Sequence, residues 1–387
     1  MKKLFSVILC FAVLLNIFAL NAFAANEAKG ASPTVKAKAA VLMEQGTGKV
    51  LYEKNSDQKL YPASVTKIMT MLLVAEAIDD GKISFSDEVA ASKEAAAKGG
   101  SQIWLKEGET MTVDELFKAM SVYSANDACT ALAEHVAGSE DGFINMMNER
   151  AAQLGMKSTH FENCTGLDDT AENHLTTAYD IALMARALMG HEFVKKYTTI
   201  WMDSLRNGAT ELVNTNKLVR FYSGCTGLKT GTTAKAGCCV CATATRDNTS
   251  LIAVVLGSDN STDRFESAKA MLNYGFANWV SVTPKIDPSL ITDVAVTMGE
   301  ERFLTPQIPA AANVLIPKGR EKDIKQDIKL SVSVEAPVES GQVLGNVDVS
   351  LDGETIGTYS LTAPHYVERL TFSSVYRRVL AVFSKSR

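Results

Sequence analysis

Three short groups of residues carry the chemistry in this 387-residue chain. The first is Ser64-Val65-Thr66-Lys67. A serine hydroxyl is a weak nucleophile until a base takes its proton. Serine and lysine three apart on a helix share one face, so the lysine nitrogen reaches the hydroxyl oxygen. If its surroundings lower its pKa, Lys67 is that base. The second is Ser124-Ala125-Asn126, whose hydroxyl and amide point into one cleft, one to relay a proton and one to hold a peptide group. The third is Lys229-Thr230-Gly231. Lys229 supplies positive charge, Thr230 a hydroxyl, and Gly231 room for a close approach. A strand edge there offers backbone groups to an extended peptide. Each group also has a plain structural reading: an N-cap serine with a solvated lysine, a helix cap, and a lysine-glycine turn. The first two patterns recur at Ser56-Asp57-Gln58-Lys59 and Ser258-Asp259-Asn260, whereas Lys-Thr-Gly occurs once.

Context decides between the copies. Ser56 falls in a polar turn, whereas Ser64 follows Pro62-Ala63 and opens an apolar run with Ile68, Met69, Leu72 and Leu73 at helical spacing. That predicts a helix that holds Ser64 in place and lends it a helix N-terminus. Thr112-x-x-Glu115 predicts a capping box opening a helix to Met120, with Ser124 in the short break before the next helix. Further helices are expected from Thr177, with Asp180 at N3, and from Asp263-x-x-Glu266 to about Trp279. A hairpin is expected from 39–43 and 49–53 around Gly46-Thr47-Gly48. The runs 226–231, 237–245 and 250–257 predict an antiparallel meander ending the same unit.

Ser64, Ser124 and Lys229 stand 60 and then 105 residues apart in one such unit. This ordered trio is the pattern of class A β-lactamases and penicillin-binding proteins. The wording is closer still. The segment 61–70 (YPASVTKIMT) resembles the nucleophile motif of low-molecular-mass penicillin-binding proteins, the serine D-alanyl-D-alanine carboxypeptidases of bacterial cell walls. Residues 124–129 (SANDAC), 159–167 (THFENCTGL) and 227–237 (GLKTGTTAKAG) are similar to further segments of that family. The likeness runs from about Thr34 to Trp279. Cys164 stands where the family often has proline, and Thr232 where some members have histidine.

The resemblance implies an α+β fold, an antiparallel sheet with helices of the β-lactamase/transpeptidase type. It also implies the site. Ser64 attacks the carbonyl between the terminal D-alanines of a peptidoglycan stem peptide, and Lys67 takes its proton. Ser124, hydrogen-bonded between the two lysines, passes a proton to the leaving amine. The backbone N–H groups of Ser64 and Thr232 form the oxyanion hole, and Asn126 orients the substrate amide. Lys229 and Thr230, on the Gly231 strand, bind the terminal carboxylate. So does Arg264, matched by register from Tyr274-Gly275-Phe276. An acyl-enzyme forms and water hydrolyses it, with no metal or organic cofactor. β-Lactam antibiotics are then covalent inhibitors.

Rival readings are a class A-type β-lactamase, a D,D-endopeptidase and an inactive wall-binding scaffold. The β-lactamase requires a Glu-x-x-Leu-Asn element, and the nearest match, Glu172-Asn173-His174-Leu175-Thr176, ends in threonine. The endopeptidase differs by pocket shape alone. The intact reacting groups argue against the scaffold, and a Gly-x-Ser-x-Gly elbow is absent.

Lys2 and Lys3 precede an apolar run closing at Ala22-Phe23-Ala24, the pattern of a signal peptide over 1–24, with a membrane anchor as the alternative. The whole chain has net charge −5; without that leader it has 37 basic and 44 acidic residues, net −7. Such acidity argues against nucleic acid as a partner. At 46% hydrophobic and 21% charged, the chain can bury a sizeable core, which excludes a disordered or disulfide-dense class. Six cysteines follow the leader, and the cluster Cys238-Cys239-x-Cys241 reads as packing in a β-run rather than as a zinc site.

Pro284 and Pro288 close the serine acyl-transferase domain, expected over 33–282. A small all-β domain is expected over 289–364, with a turn at Asp352-Gly353. In the tail 367–387, Phe372, Val375, Tyr376, Val379, Leu380 and Phe383 share one helical face and Arg377 and Arg378 the other, with Lys385 and Arg387 beyond. That is an amphipathic helix for a membrane surface, or one packed on the β domain. The expected location is outside the cell's cytoplasm, on the outer face of the cytoplasmic membrane.

Overall fold

The computed structural model describes residues 32–169, 171–308 and 312–377; the expected leader 1–24 and the tail beyond Arg377 lie outside them. The chain divides into two compact units, Met1–Trp279 and Val280–Arg387.

The first unit is built on a five-stranded antiparallel sheet. Its strands are β1 (Ala39–Glu44), β2 (Val50–Lys54), β3 (Cys225–Thr233), β4 (Gly237–Arg246) and β5 (Thr249–Ser258), in the order β2-β1-β5-β4-β3. The first hairpin forms as expected. The buried Glu44 carboxylate closes its turn by accepting the N–H groups of Gly46 (3.0 Å) and Thr47 (2.6 Å). Both faces of the sheet are covered, so its central strands are continuous apolar runs rather than alternating ones. On one face, Val41, Met43, Ile252, Val254 and Leu256 join a large helical core. On the other, Ala40, Leu42, Leu251, Ala253 and Val255 pack with Phe265, Met271, Leu272 and Phe276 of a helix. Each valine, leucine, isoleucine, methionine or phenylalanine among them contributes roughly 1.5–3 kcal/mol when fully buried. β3 is left at the sheet's edge.

The longer helices are α1 (Lys67–Asp79), α2 (Val113–Lys118), α3 (Asn126–Ala137), α4 (Glu140–Gln153), α5 (Ala178–Leu188) and α6 (Ser261–Asn278). The expected capping box is present at α2: Thr112 Oγ1 accepts from the Glu115 N–H (3.2 Å), and Glu115 Oε2 accepts from the Thr112 N–H (3.1 Å). Thr177 caps α5 as expected. Two expectations are corrected. Ser64 does not open an α-helix; it lies in a 3-10 turn, Ala63–Thr66, ahead of α1, and that turn has no side-chain cap. Helix α6 begins at Ser261, because Asn260 Oδ1 accepts from the Asp263 N–H (2.9 Å) and caps it. The look-alike Ser258-Asp259-Asn260 is therefore a helix cap.

The second unit is β-rich. Strands β6 (Val294–Thr297), β7 (Phe303–Leu304) and β9 (Ser333–Glu335) form one sheet; β8 (Lys325–Leu330), β10 (Val343–Leu351) and β11 (Glu354–Thr362) form another. Asp352 (φ +52°) and Gly353 (φ +87°) join β10 to β11, and two successive left-handed residues suit a tight hairpin. Val367 is buried in this unit's core and exchanges both backbone hydrogen bonds with Val338 (2.9 and 3.0 Å). The chain therefore stays in the β-rich unit beyond residue 364. Helical backbone starts at 372, where Phe372, Val375 and Tyr376 are exposed. Val379, Leu380 and Phe383 lie outside the described residues. No helix among the described residues is long and apolar enough to cross a membrane.

Candidate active site

Ser64 is the only residue of the turn 63–67 that is not buried. Lys67 is fully buried at the head of α1, with its Nζ 3.1 Å from Ser64 Oγ, 2.5 Å from Asn126 Oδ1 and 2.7 Å from the Thr165 carbonyl. Burial lowers its pKa. A neutral lysine amine has two N–H donors and one lone pair. Asn126 and Thr165 take the two donors, which leaves the lone pair for the Ser64 hydroxyl proton.

Ser124 ends a π-turn, Ala119–Tyr123, that continues α2, and its left-handed backbone (φ +67°) breaks the chain before α3. A non-glycine residue held there costs of order 1–3 kcal/mol and is common at functional sites. Its Oγ is buried without a hydrogen-bond partner. Among the described residues no hydrogen bond joins Ser124 Oγ to either lysine, and Lys67 is bonded to Asn126. Asn126 is engaged at both ends of its amide, since its Nδ2 donates to the Gly99 carbonyl (2.6 Å). Each end keeps further capacity, a second N–H on Nδ2 and a second lone pair on Oδ1. Next to it the buried Asp127 carboxylate accepts the N–H groups of Ile103 (3.1 Å) and Leu105 (3.0 Å), tying the segment 99–105 to α3.

Lys229, Thr230, Gly231 and Thr232 lie on the edge strand β3. A Cβ on Gly231 would sit 2.8 Å from Ser64 N and Pro62 O, so only glycine lets the strand meet the Ser64 turn. Lys229 is fully buried, and its pKa is pushed well down by burial and then by the Lys67 charge. Thr230 Oγ1 donates to Thr215 Oγ1 (2.7 Å). Arg264, on the first turn of α6, is buried; its Nη1 donates to Gly231 O and Thr232 Oγ1 (3.0 Å each) and to Cys239 O (3.3 Å). Its Nε is buried without a partner. The structure thus joins Ser64, Lys67 and Asn126 by hydrogen bonds, sets Gly231 against the Ser64 turn and bonds Arg264 to Gly231 and Thr232.

Residues 25–260 match the family described as D-alanyl-D-alanine carboxypeptidase, and residues 286–369 match the penicillin-binding protein 5 C-terminal domain. The chain belongs to the D-alanyl-D-alanine carboxypeptidase family. It is 40% identical, over the full length of both chains, to the D-alanyl-D-alanine carboxypeptidase DacF of Bacillus subtilis. It is also similar to the crystal structure of penicillin-binding protein 5 from Haemophilus influenzae (30% identity, TM-score 0.75, 88% of this chain and 100% of that one). A third likeness is to penicillin-binding protein D2 from Listeria monocytogenes in its cefotaxime-bound form (32% identity, TM-score 0.59, 64% of this chain and 100% of that one). As a serine carboxypeptidase of this family, the chain acts on peptidoglycan.

The carboxypeptidase site also depends on a segment to which the sequence reading gave no role. Asn163 Oδ1 accepts from the N–H groups of Thr165 (3.2 Å) and Gly166 (2.7 Å), folding the segment so that the Thr165 carbonyl faces Lys67. Thr70 Oγ1 donates to the Cys164 carbonyl (2.7 Å). The signal was present in the run Asn163-Cys164-Thr165-Gly166-Leu167, read for its likeness and not for its contacts. Glu172, the nearest match to a β-lactamase's deacylating glutamate, is exposed, and the described partners of Lys67 include no carboxylate. Cys239 and Cys241 are buried in the helical core beside β4. Among the described residues no cluster of histidine, cysteine and acidic side chains is arranged to hold a metal ion.

Proposed function

We propose that Ser64 is the nucleophile that removes the terminal D-alanine from peptidoglycan stem peptides, with Lys67 as its base. The observation that carries this is the 3.1 Å approach of a buried Lys67 Nζ whose other two partners both accept hydrogen bonds. Lys67 takes the hydroxyl proton as Ser64 Oγ bonds to the carbonyl carbon. The Ser64 and Thr232 N–H groups stabilise the oxyanion, where one such donor is worth roughly 3–4 kcal/mol in a well-studied protease. The buried Ser124 hydroxyl passes a proton to the departing D-alanine amine. Lys229 and Thr230, backed by Arg264, face the terminal carboxylate. Water then hydrolyses the ester. Penicillin acylates Ser64 in the same way.

The test is mass spectrometry of the penicillin adduct, with Ser64→Ala as control. A label on another residue overturns the assignment. Rapid penicillin turnover without D-alanine release from a D-Ala-D-Ala peptide favours the β-lactamase reading, which the exposed Glu172 does not support. Release of crosslinked peptides adds endopeptidase activity. The leader pattern of 1–24 supports export, and the exposed Phe372, Val375 and Tyr376, followed by basic residues, support attachment of the tail to the outer face of the membrane.

A further inference from the structure

Behind the Ser64 turn lies a buried histidine that the reaction does not use. His174 Nδ1 accepts from the Glu162 N–H (3.0 Å), so the ring proton sits on Nε2, which donates to Thr66 Oγ1 (2.8 Å). The Phe161 ring and the imidazole meet edge to face, with centroids 5.6 Å apart. Thr66 is two residues from Ser64 and immediately precedes Lys67. The same segment holds the chain at two flanking points. Thr176 exchanges both backbone hydrogen bonds with Leu60 (2.8 and 3.0 Å), and the Thr165 carbonyl takes Lys67 Nζ. The Thr66 bond lies between these two, and bonds from Tyr61 Oη to the Glu172 carbonyl (2.9 Å) and from Thr70 Oγ1 to the Cys164 carbonyl (2.7 Å) add further ties on either side. The bond to Thr66 reaches the 3-10 turn 63–66 itself, which carries a left-handed Ala63 (φ +50°). A turn in that conformation persists only if its surroundings hold it.

We propose that His174 is a positioning residue for acylation, fixing the Ser64–Lys67 turn through Thr66 Oγ1. Burial brings its pKa down to about 4; Glu162 and Asp168 draw it up, and His160 and Lys67 draw it down. The imidazole is therefore neutral at neutral pH, and its single N–H is committed to Thr66.

The inference rests on Ser64 being the acylated residue, and the experiment separates the two. The full chain is labelled with penicillin as wild type, His174→Ala, His174→Gln, Thr66→Val and the His174→Ala/Thr66→Val pair. His174→Ala and Thr66→Val should each label Ser64 about 10–100-fold more slowly, the scale of a sub-ångström to 1 Å misplacement. On a D-Ala-D-Ala peptide, kcat should fall by a similar factor with KM changed less than about threefold. The double variant should be no slower than the slower single one, because both remove one bond. Glutamine, whose amide N–H can replace Nε2–H, should restore the rate to within about threefold. Labelling of either single variant within twofold of wild type overturns the proposal, as do losses that multiply in the double variant. If His174→Ala does not fold, the shape-conserving Thr66→Val decides alone. A wild-type label away from Ser64 would instead overturn the site assignment, whatever the variants do.

Discussion

Gly166 packs tightly against the nucleophile turn, and replacing it with alanine gives a perturbation of known size. A Cβ there would stand 1.9 Å from the Ala63 carbonyl oxygen, 2.4 Å from its carbon and 2.8 Å from Thr66 Oγ1. Real Cβ contacts essentially never fall under 3.0 Å, so the two backbones must separate by at least 1.1 Å. The two nearest contacts are backbone atoms of Ala63, so the shift is taken by the turn that carries Ser64. Displacement of about 1 Å costs on the order of 100-fold in rate. Alanine also meets the left-handed φ of +86° at a cost of about 1–2 kcal/mol. Gly155 supplies the control: its φ is +76° and nothing lies within 4 Å of its Cβ position. Gly155→Ala should therefore lose the same 1–2 kcal/mol, a melting point lower by roughly 2–8 °C, with labelling by a fluorescent penicillin unchanged. Gly166→Ala should lose at least as much stability and label about 100-fold more slowly. A folded Gly166→Ala protein that labels at the wild-type rate would refute the reasoning, because the turn would then tolerate a displacement the geometry says it cannot.

Lys67→Arg should abolish penicillin labelling and D-alanine release although charge is kept, because arginine does not deprotonate at any working pH. With lysine in place, a pKa lowered by burial puts the neutral base at lower pH than usual, so the labelling rate should rise with pH as Lys67 loses its proton; a flat profile in stopped-flow labelling counts against Lys67 as the base. Arg264→Ala leaves the Gly231 and Cys239 carbonyls without this donor and should cost roughly 1–3 kcal/mol in denaturant unfolding. It should also raise KM for a D-Ala-D-Ala peptide, and an unchanged KM would remove Arg264 from carboxylate binding. Truncation after Thr371 should release the protein from membranes with its melting point intact. Truncation at Pro364 should lower the melting point, since it removes the buried Val367, a side chain worth roughly 1.5–3 kcal/mol; membrane fractionation and thermal melting separate the two.

Much of the site was legible because its chemistry is written in short runs. Lys67 follows Ser64 by three residues, and local geometry alone brings their side chains together. The hairpin, the meander and the caps of α2 and α5 were legible for the same reason: capping boxes, Asx caps and tight turns are contacts between residues two to four apart. Even there, the competition between neighbouring signals was not settled by pattern. Asn260 won the cap of α6 over the Asp263-x-x-Glu266 start, and Ser64 took a place inside a 3-10 turn rather than at a helix cap.

What lay beyond the sequence were contacts between distant residues. No spacing rule predicts that Asn126 Oδ1 and the Thr165 carbonyl would both accept from Lys67, across 59 and 98 residues, or that Ser124 would be left without a partner. The tail was divided by the same logic. Its apolar residues formed one pattern, yet Val367 is drawn into the β-rich core while Phe372, Val375 and Tyr376 remain exposed. The sequence alone determined which groups are available to react and which local turns present them. Tertiary structure decided which groups touch and which are kept from water. Burial at 67 and 229 lowers both lysine pKa values, and whether a lysine is a solvated cation or a base depends on desolvation that only the folded chain supplies.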